Sequence, residues 1–268
     1  MDALEAVSAA VAELAPWLGP IEKSVYLPGG YSNDNYRITV DGEDYALRLC
    51  RKQPAAAERT FLTLEIAPDV VAYDAEHGHM VTRWIEGALV VEQPLSVVSA
   101  AEYLKALHWL IPTRVSRYDV AATIRRDLAS GEGQQSAYHL LETIDWQAAS
   151  IAGCHNDLNP WNIIQTGDGL RTLDWEYAGD NDPVFDLVGF AHGAGFDIDA
   201  TTALKNAYDP SISAEHLIRT IAIFQLREHA WAVRQIAAGN DRPEIVEQRD
   251  SCIRLAEATS RRLVDIDR

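Results

Sequence analysis

The sequence predicts an α+β chain, rich in strands over its first third and helical through most of the rest. Three observations carry this. Strand-length runs recur at residues 23–27, 35–40, 45–50, 70–73 and 79–85, each bounded by turn residues. Apolar spacing of three and four residues returns from Leu95 and fills the chain after Asp186. Between the two lies IAGCHNDLNPWNIIQTGDGLRTLDWEYAGDNDPVFD (151–186), which is dense in polar residues at defined spacing. A chain of 268 residues, 47% hydrophobic, can bury a sizeable core in two parts. The expected division is 1–87 and 88–268, with Gly87 closing the first part.

In order, Leu4, Val7, Val11 and Leu14 predict an amphipathic helix stopped by Pro16. Strands 23–27 and 35–40 flank PGGYSND, and strand 45–50 follows the Asp41-Gly42 turn. A helix is expected after Pro54, then strands 70–73 and 79–85. A helix at 95–110 contains His108, expected to be a buried, hydrogen-bonded packing residue. Residues 113–150 say least. SGEGQQS reads as an exposed connection, and Arg125 and Arg126 fit either a cleft or a solvated face. Strands 162–165 and 170–173 about Gly167, Asp168 and Gly169 read as a hairpin. Helices follow at 187–195, 200–208, 214–238 and 243–264.

The central segment sets His155, Asp157 and Asn162 in the pattern H-x-D-x-x-x-x-N, and the hairpin returns Asp174 close to Asn162. Phosphoryl transfer needs one carboxylate to take a hydroxyl proton. It also needs a second carboxylate and an amide oxygen for a magnesium ion that neutralises phosphate charge. Asp157 fits the base, and Asn162 and Asp174 fit a sparse magnesium set completed by phosphate oxygens and waters. His155 is expected to orient the loop by hydrogen bonding, without a proton-transfer role.

HNDLNPWNII followed by LDWEYAGDNDPVFDL resembles the catalytic segment of the aminoglycoside phosphotransferase and choline kinase superfamily. LDWEYAGDND is most similar to bacterial choline, ethanolamine and thiamine kinases. The resemblance implies a bilobal protein-kinase-like fold, with a small N-terminal antiparallel-sheet lobe that binds nucleotide and a larger, mainly helical C-terminal lobe for catalysis and acceptor. It implies ATP and Mg2+ as cofactors, with Asp157, Asn162 and Asp174 at the catalytic positions. Trp175 and Glu176 depart from the Phe-Gly that follows this Asp in protein kinases, and no A-P-E segment follows, which points to a small-molecule acceptor.

LPGGYSNDNYRI resembles the family's nucleotide loop. Gly29 and Gly30 permit close approach of backbone to phosphate, and Ser32 and Asn33 offer donors. By itself that stretch is ordinary turn chemistry. Arg48 stands where a protein kinase has its phosphate-pairing Lys, and its acid partner is expected from the helix after Pro54, as Glu58 or, failing that, Glu65. MVTRWIEG resembles the interlobe connector, which implies backbone contacts from Thr82, Arg83 and Trp84 to adenine. Asp182 and Asp186 match a pattern beyond the metal Asp. Asp186 is expected to accept hydrogen bonds from His155 or nearby backbone and to brace the catalytic loop.

Acceptors in the superfamily are hydroxyls on cationic small molecules, so the resemblance implies carboxylates and aromatic faces. The candidates are Glu176, Tyr177, Trp161 and Trp231, with Asp180 and Trp175 beside them, although large aromatics are usually core. A net charge of −17 suits a cationic substrate weakly and argues against nucleic acid. Cys50, Cys154 and Cys252 lack metal-ligand spacing and read as reduced thiols. MDALEAVSAAVAELA is acidic where a secretory segment is basic, and no apolar run nears the ~20 residues of a membrane span. The expectation is therefore a cytoplasmic protein without a membrane partner; nothing in the pattern specifies an oligomeric state. The favoured function is a choline- or ethanolamine-type kinase, with a thiamine kinase next. An aminoglycoside phosphotransferase is a further reading, as is a nucleotide-binding pseudokinase, against which the intact Asp157, Asn162 and Asp174 set speaks.

Overall fold

Helix α1 (Ala3–Leu14) lays an apolar stripe on a sheet: Val7, Val11 and the following Ala15 are buried together with Ile38, Leu47, Ala72 and Val81. The computed structural model describes residues 3–28, 33–51 and 55–266. The sheet has five antiparallel strands, β1 (Lys23–Leu27), β2 (Asn33–Val40), β3 (Glu43–Cys50), β4 (Val70–Tyr73) and β5 (Met80–Arg83), in the order β1-β2-β3-β5-β4. Asp41 and Gly42 turn β2 into β3 with φ of 51° and 75°, the paired positive values of a two-residue hairpin. The helix after Pro54, α2 (Glu58–Phe61), has only four residues.

A second sheet is built from β6 (Ala88–Leu89), β8 (Ile163–Thr166) and β9 (Gly169–Thr172), in the order β6-β8-β9. This pairing changes the expected division. Residues 1–93 and 162–177 form one unit, and residues 94–161 and 178–268 form the other. Gly87 lies inside the first unit: a Cβ there would stand 2.3 Å from the Gln165 carbonyl oxygen, so the close approach to β8 requires glycine.

The second unit is mainly helical, with α3 (Val97–Leu110), α4 (Val120–Leu128), α5 (Gln135–Ile144), α6 (Pro183–Gly193), α7 (Ile198–Tyr208), α8 (Ala214–Ala237) and α9 (Pro243–Ile266). Two short strands, β7 (Ala152–Cys154) and β10 (Gly179–Asn181), pair antiparallel. Ser96, Asp119, Asp182, Asp197 and Ser213 cap α3, α4, α6, α7 and α8 by accepting a backbone N–H, so local chemistry sets most helix starts. Residues 113–150, nearly silent in sequence, thus hold α4 and α5. Among the described residues no helix is long and apolar enough to cross a membrane.

Candidate active site

In the first unit, Arg48 on β3 reaches Glu58 on α2 with both ends of its guanidinium: Nη1 donates to Oε1 at 2.6 Å and Nη2 to Oε2 at 2.9 Å. Glu58 is the partner; Glu65 is exposed and offers its carbonyl to Arg171. The Glu58 side chain is 2% exposed and that of Arg48 11%. Burial opposes the Arg48 charge, but the Glu58 carboxylate outweighs it and holds the guanidinium protonated. Burial beside Glu58 also pushes the Tyr73 phenol up to about 12, so it stays a neutral donor to Glu58 at 3.3 Å.

The same unit carries Asn162 and Asp174. Ile163 pairs with Thr172, and Leu173 donates its N–H to the Asn162 carbonyl at 2.8 Å, so the two residues stand at the open end of one hairpin. Asp174 has φ of 60°, a left-handed conformation that Asp tolerates better than most residues. Beyond it, residues 175–177 make one 3-10 turn holding Glu176 and Tyr177, both half-buried. Trp175 is not an acceptor ring. It is 1% exposed, stacks on Phe61 of α2 and donates its indole N–H to the Thr172 carbonyl at 2.8 Å. That stack ties the Asp174 turn to the helix bearing Glu58.

The expected nucleotide contacts are only partly located. Gly29, Gly30 and Ser32 lie outside the described residues. Asn33 opens β2 opposite Cys50, with its side-chain oxygen buried and no hydrogen-bond partner among the described residues. Thr82 is buried in β5. The Arg83 and Trp84 N–H groups bond the carbonyls of Asp69 and Asp44, at 2.9 and 3.1 Å. Those two donors are engaged within the unit, so they do not serve adenine, and the Trp84 ring is covered by the Arg37 guanidinium at 4.3 Å.

In the second unit, Asp157 follows a turn fastened from behind. Asp186 of α6 accepts the N–H of His155 on Oδ2 at 2.7 Å and that of Asn156 on Oδ1 at 2.6 Å. Hydrogen bonds that a charged group accepts from backbone N–H contribute about 1.5–3 kcal/mol each. Burial works against the Asp186 charge, but the bond from His108 and those N–H groups prevail and keep its carboxyl below the usual range. Asn156 takes φ of 66°, with its amide joined to the Gly179 carbonyl at 3.1 Å and to the Asn181 side chain at 2.8 Å. Short polar residues accept this conformation, which turns the chain so that Asp157 follows.

Two residues here were not singled out by sequence. One is Asn156. The other is Arg227 on α8, whose guanidinium donates to the Asn156 carbonyl at 2.5 Å and to Asp157 Oδ1 at 3.0 Å. The available signal was an Arg-Glu pair inside the apolar run IAIFQLREHAWAV. Trp231 lies four residues beyond Arg227, hence on the same face of α8, and is half-buried. Trp161 is 61% exposed. Both oxygens of Asp180 accept the Arg114 N–H at 3.0 Å, so this carboxylate also holds main chain.

His108, Cys154 and Asp186 bring ligand-type atoms within 4.8 Å of one another. Within this group His108 and Asp186 are hydrogen-bonded to each other. His108 bonds Asp186 at 3.2 Å and the Tyr208 hydroxyl at 2.9 Å, and burial, then the Asp186 charge, keeps the Cys154 thiol protonated.

Residues 25–217 match the phosphotransferase enzyme family, APH. Protein LicA of Haemophilus influenzae is 24% identical over 210 residues, which cover 67% of this chain and 61% of that protein. Thiamine kinase of Salmonella paratyphi B is 33% identical over 115 residues, 42% of this chain and 39% of that enzyme. The chain thus spans less than two thirds of the length of either relative. The solved structure of choline kinase LicA from Streptococcus pneumoniae superposes with a TM-score of 0.79 at 18% identity, over 95% of this chain and 98% of that one, a likeness of fold.

Proposed function

The chain belongs to the phosphotransferase enzyme family, and on that premise we propose that it moves the γ-phosphoryl group of ATP to a hydroxyl of a small cationic molecule. A choline- or ethanolamine-type amino alcohol is the acceptor in this reading. Asp157 holds the acceptor hydroxyl and takes its proton as the bond to phosphorus forms. Arg48, braced by Glu58, pairs with phosphate oxygens of the nucleotide. Gly29, Gly30, Ser32 and Asn33 line the phosphates, and carbonyls of the Thr82–Trp84 stretch meet adenine. Asn162 and Asp174 offer the hard oxygen donors that fit magnesium, and would hold it. The bound ion neutralises phosphate charge during transfer. Glu176, Tyr177, Trp161 and Trp231 form the acceptor's surroundings.

The observation that carries this reading is the two-point Arg48–Glu58 pair in the same unit as the Asn162 and Asp174 hairpin. A strand cation braced by a helix glutamate, beside two oxygen donors, is what charge neutralisation at a transferring phosphoryl group requires. The choline-type acceptor draws support from the likeness to choline kinase LicA. A thiamine acceptor is the second reading, favoured by the 33% identity to a thiamine kinase.

Magnesium-ATP consumption measured over choline, ethanolamine, thiamine, homoserine and kanamycin tests the proposal. Choline or ethanolamine is expected to turn over fastest. Thiamine as the fastest would select the second reading. Nucleotide binding without turnover of any compound, with ATP or GTP, would overturn the proposal in favour of a regulatory nucleotide-binding role.

A further inference from the structure

We propose that Arg227 is a positioning residue for the base, holding the Asp157 carboxylate in the orientation that receives the acceptor's proton. The inference rests on the phosphoryl-transfer reading above. Arg227 is 5% exposed in the middle of α8, walled by the rings of Phe224 and Phe185 at 5.5 and 5.9 Å from its guanidinium carbon. One nitrogen, Nη2, bonds both the Asn156 carbonyl and the Asp157 carboxylate. The other, Nη1, bonds the Glu228 carboxylate, whose second oxygen accepts from Gln248 of α9 at 2.8 Å.

Fold stability alone does not account for this arrangement. A buried ion pair is often replaceable by apolar side chains at no loss of stability. The turn before Asp157 is already held by Asp186 through two N–H groups. Arg227 adds something different: a planar cation that fixes main chain at 156 and side chain at 157 at once, so the carboxylate cannot rotate without breaking a charge-assisted bond. Glu228 and Gln248 hold that cation in turn, so α9 reaches the base through α8.

The test is a double-mutant cycle, read with magnesium-ATP and the fastest of the five acceptors above. Arg227→Met is expected to lower kcat by about 100-fold, the scale of a slightly misplaced catalytic group, while KM for ATP stays within about threefold. Arg227→Lys keeps the charge but loses the fork, and should lose about tenfold. In an Asp157→Asn background either substitution should have little further effect, because Arg227 acts through Asp157. Arg227→Met leaves the Glu228 carboxylate unpaired and is expected to lower thermal stability under either role, so the coupling decides: a merely structural Arg227 would multiply its kcat loss in full with that of Asp157→Asn, which would overturn the proposal. So would Arg227→Met with kcat within about threefold of wild type. If Arg227→Met does not fold, Arg227→Lys carries the same cycle with the same two outcomes. An Asp157→Asn variant that keeps wild-type turnover would overturn the base assignment first, and the role of Arg227 with it.

Discussion

In the first unit the charged residues of the candidate site meet as side chains, Arg48 gripping Glu58 a short way from Asp174, whose charge acts on Arg48. In the second unit the three acids of the run 179–186 each accept backbone N–H groups, Asp182 and Asp186 with a histidine beside them. Asp180 accepts the Arg114 N–H, Asp182 those of Ala149 and Val184, and Asp186 those of His155 and Asn156. The contrast bears on the acidic run GDNDPVFD. Its density suggests a pocket for a cation, yet these three carboxylates cap, turn and brace. An acid engaged by backbone N–H groups serves geometry, and the residue it positions, Asp157, is the proposed base. The overall charge of −17 is correspondingly poor support for a cationic acceptor.

The largest effect is expected of Asp157→Asn. If the whole second-unit network exists to present one base, turnover should fall by about 100-fold or more while ATP affinity stays within a few-fold. Steady-state kinetics would settle it. Retention of more than about a tenth of kcat, a barrier change under ~1.4 kcal/mol, would remove the base role.

Asp186→Asn probes the brace. Two charge-assisted backbone bonds are weakened, so a stability loss of about 2–4 kcal/mol and a roughly tenfold lower kcat are expected. Chemical denaturation and kinetics check both. The pH dependence has a definite sign. The carboxyl of Asp186 is depressed in the folded state, as is that of Asp182. Their stabilisation is fully present above the unfolded carboxylate value of about 3.9 and disappears as pH falls through the folded values. Wild type should therefore lose stability below about pH 4, and Asp186→Asn should lose less over that window. Equal acid sensitivity in both would contradict the brace.

The smallest effect belongs to Trp231→Leu, which keeps apolar bulk and removes the π face. A cation contact of about 0.5–2 kcal/mol corresponds to a rise of roughly two- to thirty-fold in acceptor KM, with KM for ATP unchanged. Wild-type acceptor KM would return Trp231 to the core.

These regions also differ in how far they could be read from sequence. The sheet, the hairpin and the H-x-D-x-x-x-x-N spacing are local patterns, and strand limits moved by only a residue or two, as at β8 (Ile163–Thr166). The choice between Glu58 and Glu65 was not local: α2 is a single turn whose facing depends on the packing of Phe61 against Trp175. That same packing puts Trp175, one of the candidate rings, in the core. Arg227 was harder to read because its partner lies 70 residues earlier in the chain, and a charged pair inside an apolar helix signals burial without naming what it faces.

A single measurement separates the residues proposed to handle phosphate and magnesium from the residue proposed to take the acceptor's proton. It is a calorimetric titration of ATP, with and without magnesium, into wild type, Asp174→Ala and Asp157→Asn. Asp157→Asn is expected to keep the magnesium-dependent gain in affinity, and Asp174→Ala to lose it. The same magnesium gain in Asp174→Ala as in wild type, or its loss in Asp157→Asn, would contradict that division of roles.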